Sequence, residues 1–124
     1  MKILIANDHG AVDLKNQIVE ELARRGHTVE NLGVDTSASV DYPDIARKTA
    51  AAYLGGGYDF GILCCGTGIG ISIAANKVPG IRCALVFDLF MAEMCKCHND
   101  ANFLAFGGRI TYHKIGRASC RERV

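Results

Sequence analysis

The chain has 124 residues, of which 49% are hydrophobic and 22% charged, a balance that fits one domain able to bury a core without disulfide or metal staples. Its formal net charge is +1, so no global field draws it to nucleic acid or an acidic membrane, and small molecules or further protein subunits are the partners to expect. The opening apolar run is too short for a secretion signal and is broken by Asn7 and Asp8; no stretch reaches transmembrane length; the irregularly spaced cysteines at 64, 65, 83, 95, 97 and 120 read as free thiols of a reducing cytoplasm.

Lys2–Ala6 reads as a buried strand. Ala11, Leu14, Ile18 and Leu22 then recur at helical spacing, with Val19 widening the stripe, Glu20 and Glu21 four positions before Arg24 and Arg25, and Gly26 as the stop. Thr28–Leu32 is a second strand. Asp41 is the expected cap of a second helix, which has Pro43 in its first turn, buries Ile45, Ala46, Thr49, Ala50 and Tyr53, and ends at Gly55-Gly56-Gly57. Asp59–Cys65 is the third strand and 67–77 the third helix. Pro79-Gly80 breaks the chain before a fourth strand, Ile81–Phe87; Asp88 caps a fourth helix reaching about Cys97; Asn102–Phe106 is the fifth strand.

Five near-continuous apolar strands alternating with four helices predict an α/β fold, a three-layer αβα sandwich on a parallel sheet. Ligands of such folds bind beyond the carboxyl ends of the strands. That singles out Asn7-Asp8-His9, Cys65–Gly70, Asp88 and Gly107-Gly108-Arg109, and leaves His98-Asn99-Asp100, before the fifth strand, needing a separate explanation.

The last ten residues, Ile115 to Val124, are basic, show no amphipathic stripe, and back-translate to a common sequencing-adapter read. The expectation is a domain over 1–114, a non-native or disordered tail over 115–124, and a truncated carboxyl-terminal helix.

Glycines in Cys65-Gly66-Thr67-Gly68-Ile69-Gly70 let the backbone approach a ligand, and the amides of a helix start stabilise negative charge. The dinucleotide fingerprint fails at Ile71 and the phosphate-loop Gly-Lys-Ser/Thr is absent; a tight turn needed only for packing is the alternative. A helix start favours a thiolate, so Cys65 suits a base or nucleophile, although a cysteine there is also a small core hydrophobe; Cys64 should face the opposite side of the strand. Asp8-His9 suits proton transfer or phosphate binding, or is a plain surface loop. His98 suits acid–base work and Asn99 a sugar hydroxyl, or both merely finish a helix and turn. Arg109, flanked by glycine, is better placed for phosphate than Arg82. Cys95-Lys96-Cys97-His98 lacks zinc-site spacing, so no metal site is expected there.

Together, Asn7-Asp8-His9-Gly10, Asp41-Tyr42-Pro43, the run from Cys65 to Lys77, Pro79-Gly80-Ile81-Arg82, His98 to Asn102 and Phe106-Gly107-Gly108-Arg109 resemble the ribose-5-phosphate isomerase B family, which includes galactose-6-phosphate isomerase subunits. The resemblance covers residues 1 to about 112. It implies a Rossmann-like sandwich, a homodimer or tetramer with active sites shared between subunits, and cofactor-free interconversion of an aldose phosphate and a ketose phosphate, by default ribose 5-phosphate and ribulose 5-phosphate. Galactose 6-phosphate, allose 6-phosphate, a tetrose phosphate, or mere phosphosugar binding are the alternatives. Carried over, Cys65 is the base; Thr67 and the amides of Gly66, Gly68 and Gly70 form the anion hole; Asp8 and His98 serve sugar hydroxyls and ring opening; His9 and Arg109 contact phosphate; Tyr42 and Asn99 contact substrate. The family's later arginines have no counterpart in Arg117, Arg121 or Arg123.

Overall fold

The structure is a computed structural model in which residues 1–111 are described; the expected tail, the end of the expected domain and Cys120 lie outside them. The strands are β1 (Lys2–Asn7), β2 (Thr28–Asn31), β3 (Phe60–Cys65), β4 (Cys83–Leu85) and β5 (Phe103–Gly107), and the helices are α1 (Val12–Arg24), α2 (Tyr42–Leu54), α3 (Ile69–Asn76) and α4 (Leu89–Cys97). All pairings are parallel, in the order β2-β1-β3-β5-β4.

That order and right-handed crossovers fix the layers. The chain steps one way for β1 to β2 and β4 to β5, and the other way for β2 to β3 and β3 to β4, so α1 and α4 share one face and α2 and α3 the other. The core divides accordingly. Ile3, Ile5, Ile62, Cys64, Leu104 and Phe106 cluster with Ile18 and Leu22 of α1 and Ala92 and Cys95 of α4. Ala6, Leu63, Cys65, Phe103 and Ala105 cluster with Ala46 and Ala50 of α2 and Ile71 and Ala75 of α3. Neighbouring residues of one strand thus serve opposite faces, as the expected split of Cys64 from Cys65 requires.

Local signals behave as their chemistry dictates. The α1 pairs form, with Arg24 3.3 Å from Glu20 and Arg25 3.3 Å from Glu21. Asp88 caps α4 through Oδ1, accepting from the Met91 amide at 2.8 Å. Asp41 occupies the N-cap of α2 but makes no side-chain capping bond. The fourth strand is shorter than the predicted Ile81–Phe87. It is an edge strand with one neighbour, and the Arg82 amide ends the ladder by donating to the Asn102 side chain.

Burial on this edge strand pushes the Cys83 thiol up to about 12, with Cys95 a second cause. The neutral thiol is the form favoured on folding, so this stabilisation is complete below the ordinary thiol value of 9.0 and is lost as pH climbs toward 12. Urea titrations should show unfolding free energy falling above about pH 9 by roughly 1.4 kcal/mol per pH unit for the thiol. Cys83→Ala should flatten that fall; an unchanged slope would refute the assignment.

Candidate active site

The sheet order reverses direction between β1 and β3, and a crevice opens beyond the carboxyl ends of such a pair. Register places Asn7 beside Cys64, so the loops that follow meet there. Asp8 donates its amide to the Cys64 carbonyl at 3.0 Å and accepts from the Gly10 amide through Oδ1 at 2.8 Å, which bends His9–Ala11 into a 3₁₀ turn. That turn packs the Gly10 Cβ position 3.1 Å from the Gly66 nitrogen. Asp8 is 6% exposed.

Cys65, 4% exposed, ends β3. Its sulfur accepts the Gly68 amide at 3.1 Å, and the Ile69 amide donates to Thr67 Oγ1 at 3.1 Å. Two of the loop's amides are therefore spent internally. The amides of Gly66, Thr67 and Gly70 have no acceptor among the described residues. Of the amides expected to face an anion, that of Gly68 instead serves the sulfur. Gly68 holds the turn together at φ +80°, a left-handed conformation that a side chain would strain.

The loop after β5 continues alongside. Gly108 donates to the Cys65 carbonyl at 2.7 Å and Arg109 to the Gly66 carbonyl at 2.9 Å. Arg109 Nη1 then lies 3.3 Å from the Cβ position of Gly66. At the start of α2, the Tyr42 ring lies 2.6 Å from the Cβ position of Gly70. Asp8, His9, Tyr42, Cys65, Gly66, Thr67, Gly68, Gly70 and Arg109 are accordingly gathered at one end of the sheet.

His98 and Asn99 are not. They follow α4, which starts after β4 and runs back to the amino ends of the strands, so the length of β5 separates them from Cys65, about 16 Å at 3.3 Å per residue. Both are exposed. Arg82, weighed above as a phosphate ligand, instead donates Nε and Nη2 to the Asn99 carbonyl at 2.9 and 2.6 Å. Beside them, the hydrogen bond and charge of Lys96 hold the Asp100 carboxyl below the usual range. Cys95 is buried and donates to the Ala92 carbonyl, whereas Cys97, two residues on, is exposed. Among the described residues no three His, Cys, Asp or Glu side chains gather as a metal site.

Two residues carry structural roles that the sequence reading does not assign, although Asn7 lies in a segment it singles out. Asn7, fully buried, donates to the carbonyls of Asp8 and Val34 and accepts from the Val34 amide. Lys15, also fully buried, donates to Val34 and pairs with Asp35, whose carboxyl it draws below the usual range by hydrogen bond and charge. A signal existed for Lys15: it lies four after Ala11 and three before Ile18, on the apolar stripe of α1.

A parallel sandwich that gathers a thiol, a histidine-bearing turn and an arginine beyond the carboxyl ends of its strands defines a Rossmann-like protein with a ligand crevice there. Comparison with known proteins agrees. The profile of the Ribose/Galactose Isomerase family matches residues 3–122. Ribose-5-phosphate isomerase B of Escherichia coli is 47% identical over 88% of this chain and 73% of its own length. D-erythrulose-4-phosphate isomerase of Pectobacterium atrosepticum is 42% identical over 89% and 73%. A solved ribose-5-phosphate isomerase B from Clostridium thermocellum superposes with a TM-score of 0.90 at 49% identity, covering 96% of this chain and 80% of that one. The chain belongs to the Ribose/Galactose Isomerase family, and in class it is an aldose–ketose isomerase acting on sugar phosphates. No helix among the described residues is long and apolar enough to cross a membrane.

Proposed function

We propose that the chain interconverts ribose 5-phosphate and ribulose 5-phosphate through an enediolate, with Cys65 as the base. The observation that carries this reading is the Cys65 sulfur, 3.1 Å from the Gly68 amide, in a loop whose Gly66, Thr67 and Gly70 amides are unspent. In the aldose-to-ketose direction the thiolate takes the proton from C2 of the open-chain sugar. The C2–H electrons form the C1–C2 double bond, and the C1 carbonyl pair moves onto its oxygen. Amides already aimed at that oxygen need no reorganisation, which makes them typically the largest catalytic term. The proton on the C2 oxygen passes to the C1 oxygen, and as the C2 carbonyl forms the proton on sulfur is delivered to C1, which leaves the ketose and restores the thiolate. His9 and Arg109 hold the phosphate, so that one base reaches both carbons. Asp8 serves the sugar hydroxyls; Tyr42 and Thr67 flank the reacting end.

His98 and Asn99, at the far end of their own sheet, complete the site of a second copy, where His98 opens the sugar ring and Asn99 meets a hydroxyl. The working assembly is therefore a homodimer. The apolar side chains left exposed near the site, Ile69, Ile73 and Phe90 among them, fit such an association. The five described cysteines are free thiols, as suits the reducing cytoplasm.

Ribose 5-phosphate incubated with the protein should be converted to its ketose faster than galactose 6-phosphate, allose 6-phosphate or an aldotetrose phosphate is converted to its own. Preference for another sugar of that panel would overturn the substrate. Ligand-induced stabilisation with no product from any of them would turn the reading into a binding module. Sharing makes a separate prediction. Cys65→Ala and His98→Ala should each be inactive alone, yet mixing and re-forming the dimers should restore about a quarter of wild-type activity, since half the dimers are mixed and each has one intact site. No recovery in confirmed mixed dimers would rule sharing out.

A further inference from the structure

We infer that Asn7 and Lys15 are positioning residues that clamp the Val34 backbone and, through the loop it anchors, fix His9 in the tautomer that donates from Nε2. This rests on the reading of His9 as an anion contact and specifies how it makes that contact.

The segment between β2 and α2, residues 32–41, has no helix or strand of its own. A loop of that length needs anchors to hold one shape. Its anchor is the backbone of one residue, Val34. Asn7 Oδ1 accepts from the Val34 amide at 3.1 Å, Asn7 Nδ2 donates to the Val34 carbonyl at 3.0 Å, and Lys15 Nζ donates to the same carbonyl at 3.2 Å. Both side chains are fully buried. Approach is so close that a Cβ on Gly33 would fall 2.0 Å from Asn7 Oδ1. An ammonium withdrawn from water costs several kcal/mol unless paired and bonded, and Asp35, the next residue of the loop, is its pair. Nothing in the proton transfer uses this charge. Its contacts all lead to the loop.

The other end of the loop meets the site. The Val40 amide donates to His9 Nδ1 at 3.2 Å, and Tyr42 follows two residues later. A ring nitrogen that accepts carries no proton, so in the neutral imidazole the proton is on Nε2. His9 then offers an anion its Nε2–H. Asn7 also donates to the Asp8 carbonyl at 2.9 Å, so one side chain ties the His9 turn to the loop that orients the ring.

Long-range ¹⁵N–¹H correlation at alkaline pH, with His9 assigned by its loss in His9→Gln, reads the tautomer in the free wild-type protein. Protonated Nε2 with bare Nδ1 is expected; protonated Nδ1 would overturn the inference. Lys15→Met keeps the apolar stem and removes the ammonium, and Asn7→Ser shortens the other jaw of the clamp. In either variant the two His9 nitrogen shifts should converge toward a tautomer mixture, and Kd for inorganic phosphate should rise roughly tenfold, the value of one charge-assisted hydrogen bond. Unchanged His9 shifts and phosphate affinity in a folded variant would overturn the clamp. None of these readouts depends on which sugar is isomerised, so the inference can fail while the isomerase reading stands, and the reverse.

Discussion

Cys65→Ala should lower kcat about 10³-fold or more, within the range that a positioned base contributes, while KM stays within about threefold. The separation follows from geometry. The sulfur sits at the end of β3 beside the unspent amides, whereas the phosphate contacts assigned to His9 and Arg109 come from other loops. Removing the base takes away an interaction made only as the proton moves, so kcat and kcat/KM fall together. The fold should survive. Alanine suits this buried position, and the loss is that of a small side chain plus the partner of the Gly68 amide, about 2 kcal/mol in all. Steady-state kinetics with a parallel urea titration tests both halves. Turnover within about tenfold of wild type would reject Cys65 as the base.

Gly68→Ala should be nearly as damaging, by a different route. Glycine there has φ +80°, and an added Cβ would lie 2.8 Å from Leu85 Cδ1 and 2.9 Å from the Phe106 carbonyl carbon. Leu85 is a flexible neighbour, but the Phe106 backbone belongs to β5 and cannot give way. The turn would have to shift, carrying the amide that donates to Cys65 and those of Gly66, Thr67 and Gly70 with it. A 1 Å misplacement at such a site costs about 10²-fold in rate, and strain with overpacking costs about 2–4 kcal/mol of stability. Gly56→Ala is the control. Gly56 has φ +95° but open space around its Cβ position, so it should lose about 1 kcal/mol of stability and no activity. If Gly68→Ala kept full kcat, the loop would not be the oxyanion site.

Much of the fold was legible from local rules. Continuous apolar runs marked the strands because a parallel sheet is covered on both faces, and Ala11, Leu14, Ile18 and Leu22 marked α1 because a helix buries one stripe. The fourth strand was overextended because apolar composition does not say how long an edge strand keeps its partner. Strand-end position singled out Asp8, His9, Cys65 and Arg109, which the structure does gather. Lys15 was passed over because one charge on an apolar stripe reads as an exception until its acceptors are seen on residues 34 and 35.

The periodicities, the glycine-rich turn at Cys65 and the family to which the chain belongs are readable from residue type and spacing along the chain. Which amides of that turn are spent, that Arg82 holds the Asn99 carbonyl, and that His98 lies at the far end of the sheet from Cys65 emerge only in three dimensions. Hydrogen-bond partners are settled by distances between segments far apart in the chain, and those distances exist only once the strands have taken their order.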